Sequence, residues 1–262
     1  MNALKLRLLT GAVLLALLVT LLFYAHPTIF IGSLILAGFL GIHELFRLFE
    51  VNLLESTGVI LCLSLYAWGT ILNPELITLQ SLVLLGLIIL LYKKGCDSNL
   101  KQDMKISLCL GYGVCLTASL VALWLLHLQS AWLAAGLFAI VAGMDIGGYV
   151  IGRLWGERQL CPSISPGKTI EGAMGGLALV IAVGALIACS WPLEWLTLFK
   201  VSVITSVFAV AGDLLESWLK RKAGAKDSGT IFPGHGGVMD RVDSLVAAAP
   251  IYVLLLSLAG WL

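Results

Sequence analysis

Nine apolar stretches, at 8–25, 28–46, 54–72, 75–92, 106–128, 131–152, 170–190, 194–216 and 243–262, follow one another with short polar joints between them. Each is near the ~20 residues that a helix needs to cross the hydrocarbon core of a bilayer. Inside that core every backbone N–H and C=O must be satisfied within the chain, so only helices and closed barrels cross it. Apolar runs of this length specify helices. With 60% hydrophobic and 12% charged residues, and a mean hydropathy of +1.01, an ordinary soluble domain is excluded. The expected fold is all-α, a polytopic membrane bundle of about nine helices forming a single domain over 1–262. Residues 1–140 read as an apolar half and 141–262 as the half that carries chemistry. The first stretch follows Lys5 and Arg7 as a signal peptide would, but apolar stretches continue down the whole chain, so it reads as a retained helix.

Lysine and arginine placement gives the orientation. With the N-terminus in the cytoplasm, all sixteen cations except Lys200 fall on the cytoplasmic side, and the opposite loops near 26, 73, 129 and 192 hold none. Within the apolar half, His43, Glu44, Arg47 and Glu50 read as a solvated or headgroup-level helix end. Lys93 to Lys105 reads as a basic loop at the membrane surface, where anionic lipid attracts cations. Six cysteines show no metal-binding spacing and read as small buried apolar residues. Gly148 to Gly152 and Gly172 to Gly176 have the small-xxx-small spacing of close helix packing; Gly147 and Gly148 alternatively leave room beside Asp145 for a substrate. No internal repeat supports an inverted-repeat transporter.

Polar groups collect in the second half. Asp213, Glu216, Ser217 and Lys220 share one helical face, with Asp213 several residues inside an apolar stretch. A carboxylate at that depth needs a cation, a metal or a wet cavity. Glu216 has a plainer alternative, an ion pair with Lys220. The run Pro233-Gly234-His235-Gly236-Gly237 is a tight turn whose N–H groups suit phosphate oxygens. Asp240 and Asp243 then share a face at the start of the last stretch, where they can also act as helix caps, and Arg241 offers a planar fork for phosphate. Asp145, Tyr149 and Arg153 lie near one helical face; a packing hydrogen bond between Asp145 and Tyr149 is the alternative there. Ser165-Pro166-Gly167-Lys168-Thr169 resembles a phosphate loop without its spacing, and Ser165 and Pro166 suit a helix start. Lys168 and Thr169 can bind an anion at that helix N-terminus. All of these map to the cytoplasmic ends of the last four stretches. Mg²⁺ is held by one or two carboxylates plus phosphate oxygens, and the pair Asp213 and Asp240 fits that need best.

The run Ser217-Trp218-Leu219-Lys220-Arg221, Lys226-Asp227, Gly229, Phe232-Pro233, His235-Gly236-Gly237 and Asp240-Arg241-Val242-Asp243 resembles the signature of the phosphatidate cytidylyltransferases, or CDP-diacylglycerol synthases. Gly212 to Glu216 and Ser165 to Gly172 are similar to that family as well. The resemblance covers about 140–262. Met144 stands where the family often has a small polar residue, and Glu157 where it often has Lys.

The resemblance implies that CTP and phosphatidic acid give CDP-diacylglycerol and pyrophosphate, the lipid phosphate attacking the α-phosphorus of CTP. It implies Mg²⁺ on Asp213 and Asp240, with room for a second cation such as K⁺. Lys220, Arg221, Lys226, His235 and Arg241 become the candidate catalytic cations. Asp145, Tyr149, Ser165, Lys168, Thr169, Asp227, Gly236, Gly237 and Asp243 become candidate substrate contacts. Lys222, outside the fixed positions, is expected to matter much less. No nucleic acid is expected as a partner, the bilayer is the host, and a homodimer stays open. The short polar joints suggest a bacterial plasma-membrane protein with its site at the cytoplasmic face. Two rivals remain: a CTP-dependent polyprenol or phytol kinase, and a membrane cation transporter.

Overall fold

The computed structural model describes residues 3–73, 86, 102–190, 194–232 and 236–262. Among these are eight helices: α1 (Ala3–Phe23), α2 (Pro27–Phe49), α3 (Leu53–Leu72), α4 (Gln102–Gln129), α5 (Ala131–Trp155), α6 (Ile170–Ser190), α7 (Trp195–Lys222) and α8 (Met239–Leu258). Six of them, α2 and α4 to α8, contain spans long and apolar enough to cross a membrane. The all-α polytopic bundle expected from the apolar pattern is therefore present. Apart from Gly86, the stretch 75–92 lies outside the described residues, as do the basic residues Lys93, Lys94 and Lys101, while Lys105 sits near the start of α4.

Local chemistry sets the helix ends. Pro27 opens α2 at a position where its missing N–H costs nothing. Asn52 and Glu55 close a capping box at the start of α3, with bonds of 2.9 and 3.2 Å. Ser130 caps α5 by accepting Trp132 N–H at 3.2 Å. Helix α7 runs to Lys222, past the apolar stretch ending at 216. Its buried face continues at helical spacing through Leu215, Trp218, Leu219 and Lys222.

Ser165 and Pro166 suit a helix start, but Ser165–Thr169 forms strand β2, paired antiparallel with β1 (Gln159–Cys161), and α6 begins at Ile170, where the apolar stretch 170–190 places it. Pro166 has no N–H to give, and the chain enters α6 only at Ile170, where Thr169 Oγ1 accepts Gly172 N–H at 3.0 Å. Glu171 ties the hairpin down: its carboxylate accepts Glu157 N–H at 3.2 Å, Arg158 N–H at 3.1 Å and Arg158 Nε–H at 2.7 Å. The side-chain bond to Glu171 also raises the pKa of the exposed Arg158 guanidinium.

Two apolar cores join the helices. One gathers Leu126, Leu137, Ala248, Ala249 and Leu256; the other gathers Leu45, Phe49, Tyr112, Leu215, Trp218 and Met239 at the end that bears the polar groups. Helices α5 and α6 meet through glycine. A Cβ on Gly147 would stand 2.7 Å from Gly176 Cα, and one on Gly172 would stand 2.8 Å from Gly148 O. Packing is thus the role of Gly147, Gly172 and Gly176. Cys109 and Cys115 are buried as expected, but Cys62 and Cys189 lie on the outer surface of their helices, where apolar surroundings are the bilayer's to provide.

Candidate active site

The ends of α2, α5 and α7, the starts of α6 and α8, and the β1–β2 hairpin converge at one end of the bundle. Four contacts establish this: Lys168 with Asp213, Lys220 with Asp240, Arg221 with the hairpin, and Glu44 with the start of α8. Between α5, α6, α7, α8 and the hairpin lies a cavity of about 250 Å³, lined among others by Asp145, Tyr149, Lys168, Thr169, Asp213 and Ser244. Gly148 also lines it, so one glycine of the α5 pair packs and the next admits space.

Three carboxylates gather around this cavity. Asp213 is ion-paired with Lys168, and its Oδ1 is 3.4 Å from Ser217 Oγ. Asp145 is within Coulombic reach of Asp213, Lys168 and Arg241. Asp243 is within reach of Asp213, Asp145 and Lys168. The approach of Asp243 depends on Gly212, because a Cβ there would stand 2.6 Å from Asp243 O. Asp145 makes no hydrogen bond to Tyr149; Arg153 Nη1 lies 3.4 Å from the Tyr149 hydroxyl instead.

Asp240 is held differently. Its Oδ1 accepts from Lys220 Nζ at 2.7 Å, and its Oδ2 accepts from Ser228 N–H at 3.0 Å, Ser228 Oγ–H at 2.9 Å and Gly237 N–H at 2.8 Å. Lys220 also ion-pairs with Glu216, as the i, i+4 spacing suggested, and that carboxylate is wholly buried. Asp213 and Asp240 thus each carry their own lysine. Asp243 links the two groups electrostatically, since Glu216 feels both Asp243 and Asp240.

Phe232 N–H bonds Gly236 O at 2.9 Å, and Gly236 has φ +81. Pro233, Gly234 and His235 lie outside the described residues. The N–H groups that follow are already in use. That of Gly237 goes to Asp240, and those of Val238 and Met239 go to Glu44 at 2.9 Å each. Neither Asp240 nor Asp243 is the N-cap of α8, which is Val238 without a side-chain cap bond; Glu44 from α2 does the capping.

Arg221 faces inward to structure, its Nε donating to Ile164 O at 3.3 Å and its Nη1 to Ala225 O at 3.2 Å. Lys226, Asp227 and Arg241 are exposed, and Ser165 lies half-buried at the start of β2. One reading is overturned. Glu44 is not a solvated helix end: it is 4% exposed, because it fits between glycines at the tip of α8. Lys222 is also only 4% exposed, its ammonium 5.5 Å from the Trp218 ring centroid, so its stem belongs to the core. Glu44 was legible in principle, since helical spacing places it on the same face as the buried Gly38, Gly41, Leu45 and Phe49.

Glycine-spaced packing, paired carboxylates and lysines, and a cavity at one end of an oily bundle all belong to a segment with a family pattern. The sequence model of the cytidylyltransferase family matches residues 5–259. The chain belongs to the cytidylyltransferase family. It is similar to the phosphatidate cytidylyltransferase of Staphylococcus haemolyticus, 33% identical over 267 aligned residues that cover 96% of this chain and 98% of that protein. The enzyme of the same name from Brucella suis is 48% identical over 120 residues, 45% of this chain and 44% of that protein. The one from Bacillus subtilis is 43% identical over 121 residues, 45% of each.

Proposed function

We propose that this chain is a phosphatidate cytidylyltransferase working at the cytoplasmic face of a bacterial plasma membrane. The observation that carries the proposal is the lysine-paired carboxylate cluster of Asp145, Lys168, Asp213 and Asp243 around a cavity at one end of a membrane bundle. A nucleotide must reach the site from water and a diacyl lipid from the bilayer, and this position serves both. The placement of all lysines and arginines but Lys200 on that side supports the cytoplasmic orientation.

A phosphate oxygen of phosphatidic acid attacks the α-phosphorus of CTP. The bond from that phosphorus to the bridging oxygen breaks, and pyrophosphate leaves with the bond's electron pair. The attacking phosphate is already anionic, so positioning and charge neutralisation do most of the work. Lys168 and Lys220 are ion-paired with the carboxylates, Lys226 and Arg241 are exposed, and His235 is a further candidate by resemblance.

The candidate acidic side chains offer hard oxygens of the kind Mg²⁺ takes, and such an ion is typically held by one or two carboxylates and completed by phosphate oxygens. Asp213 and Asp240 are the proposed protein ligands, with Asp145 and Asp243 close behind Asp213 and room for a second cation such as K⁺. Bound there, Mg²⁺ would supply neutralisation of the triphosphate. Each lysine covers a carboxylate now and can turn to a phosphate oxygen when that carboxylate is otherwise engaged.

The test is purified protein with labelled CTP and phosphatidic acid. Transfer of labelled CMP to lipid, abolished by EDTA and restored by Mg²⁺, is the expected result. Formation of a lipid monophosphate would assign the chain to the polyprenol or phytol kinase reading instead. Cation flux in proteoliposomes without CTP would favour a transporter.

A further inference from the structure

Glu44 has no part in the scheme above and belongs to the half of the chain that reads as framework. Yet its buried carboxylate spends its accepting capacity on Ser228 and on the start of α8, which carries Asp240. Oε1 accepts Val238 N–H at 2.9 Å; Oε2 accepts Met239 N–H at 2.9 Å and lies 3.1 Å from Ser228 Oγ. Two glycines make room for it. A Cβ on Gly229 would stand 2.6 Å from Oε1, and one on Gly237 would overlap both carboxylate oxygens. An anion at this point meets unsatisfied N–H groups and the positive end of the α8 dipole. The same Ser228 hydroxyl lies 2.9 Å from Asp240 Oδ2. A hydroxyl has one proton to donate, so Glu44 and Asp240 share it. Residues 228–229 and 237–239, which flank Asp240 in space, are thereby gripped by Glu44 on one side and Asp240 on the other.

We infer that Glu44 is a positioning residue for Asp240: reaching across from α2, it clamps residues 228–229 and 237–239 and so sets where the Asp240 carboxylate and its Lys220 partner stand. The clamp explains why Gly237 must lack a side chain. It also explains why the first N–H groups of α8 are closed to phosphate. Its consequence for turnover rests on the cytidylyltransferase reading; the clamp itself does not.

The experiment compares wild type with Glu44→Gln, Glu44→Asp and Ser228→Ala. Glutamine keeps the shape but turns one acceptor into an N–H donor facing a backbone N–H. Hydrogen–deuterium exchange in the substrate-free protein is read for the peptide covering 228–240, and kcat and KM for CTP are measured alongside. Glu44→Gln is expected to speed exchange in that peptide and not in α4 or α5, and to lower kcat by about 10–100-fold, the range seen when a group supporting an active-site ligand is lost. Glu44→Asp keeps the charge and recovers part of both effects. Combining Glu44→Gln with Ser228→Ala costs less than the two losses multiplied, because both act on one network. The inference is overturned if exchange at 228–240 stays at the wild-type level, if it rises equally throughout the chain, or if the loop loosens with kcat intact. Should Glu44→Gln not yield folded protein, Glu44→Asp carries the same exchange test. A wild type that transfers no CMP defeats the enzymatic reading alone, since the exchange measurement still decides the clamp.

Discussion

Lys220 Nζ donates to Asp240 Oδ1 at 2.7 Å and is also ion-paired with the buried Glu216, so one ammonium joins the last turn of α7 to the first turn of α8. Substituting Asp240→Asn turns one acceptor into an N–H donor that faces either this ammonium or the N–H groups of Ser228 and Gly237. Loss of one preorganised charged contact in an active site costs on the order of 100-fold or more in turnover. CMP transfer by Asp240→Asn is therefore expected to fall by at least that much, while the protein still elutes as a single folded species in detergent. Near-normal turnover would remove Asp240 from the site.

The Lys168–Asp213 pair makes the opposite balance of stability and activity. Both side chains line the cavity, so a wet cavity remains beside Asp213 when the lysine is removed. Lys168→Ala should leave the midpoint of thermal unfolding within a few degrees of wild type. Turnover should drop on the order of 100-fold, because a cation at the cavity wall is gone when phosphate charge must be covered. A large fall in the unfolding midpoint with proportionate loss of activity would make the pair structural.

Gly212 lets α8 lie against α7 beside Asp213. In Gly212→Ala the new methyl meets Asp243 O at 2.6 Å and Ala247 Cβ at 3.0 Å. The opposing atoms include backbone, so the helices must part. Overpacking of this kind costs about 1–3 kcal/mol. The expected result is a lower unfolding midpoint together with reduced turnover, since Asp243 withdraws from Asp213. Wild-type behaviour in both assays would contradict the packing described here.

Periodicity and burial cost explain how far the sequence alone could be read. Apolar length specifies helices because a bilayer leaves the backbone no other option, and eight of the nine expected stretches coincide with described helices. The Glu216–Lys220 pair followed from i, i+4 spacing. The β1–β2 hairpin did not, since its strands are short and carry a proline and a glycine that signal only a break. Glu44 was misread because an acidic residue near a helix end is usually solvated, and its partners are backbone N–H groups 194 and 195 residues away. Lys222 stands outside the signature's fixed positions, and a signature does not mark which residues are buried; its 4% exposure makes Lys222→Ala a change to the core.

Arg221 separates charge from geometry. By type it is a cation for phosphate, but its guanidinium bridges Ile164 O and Ala225 O, joining the hairpin loop to the chain that leaves α7. Lysine keeps the charge and cannot reproduce the fork. If the bridge is its contribution, Arg221→Lys lowers the unfolding midpoint and reduces turnover about tenfold, consistent with losing one or two hydrogen bonds of about 1 kcal/mol each. The hairpin that carries Lys168 would shift with it, so proteolysis between Arg158 and Lys168 should quicken. If Arg221 instead contributes only positive charge to the phosphates, Arg221→Lys retains both stability and most of its turnover. That outcome would return Arg221 to the catalytic group in which its residue type first placed it.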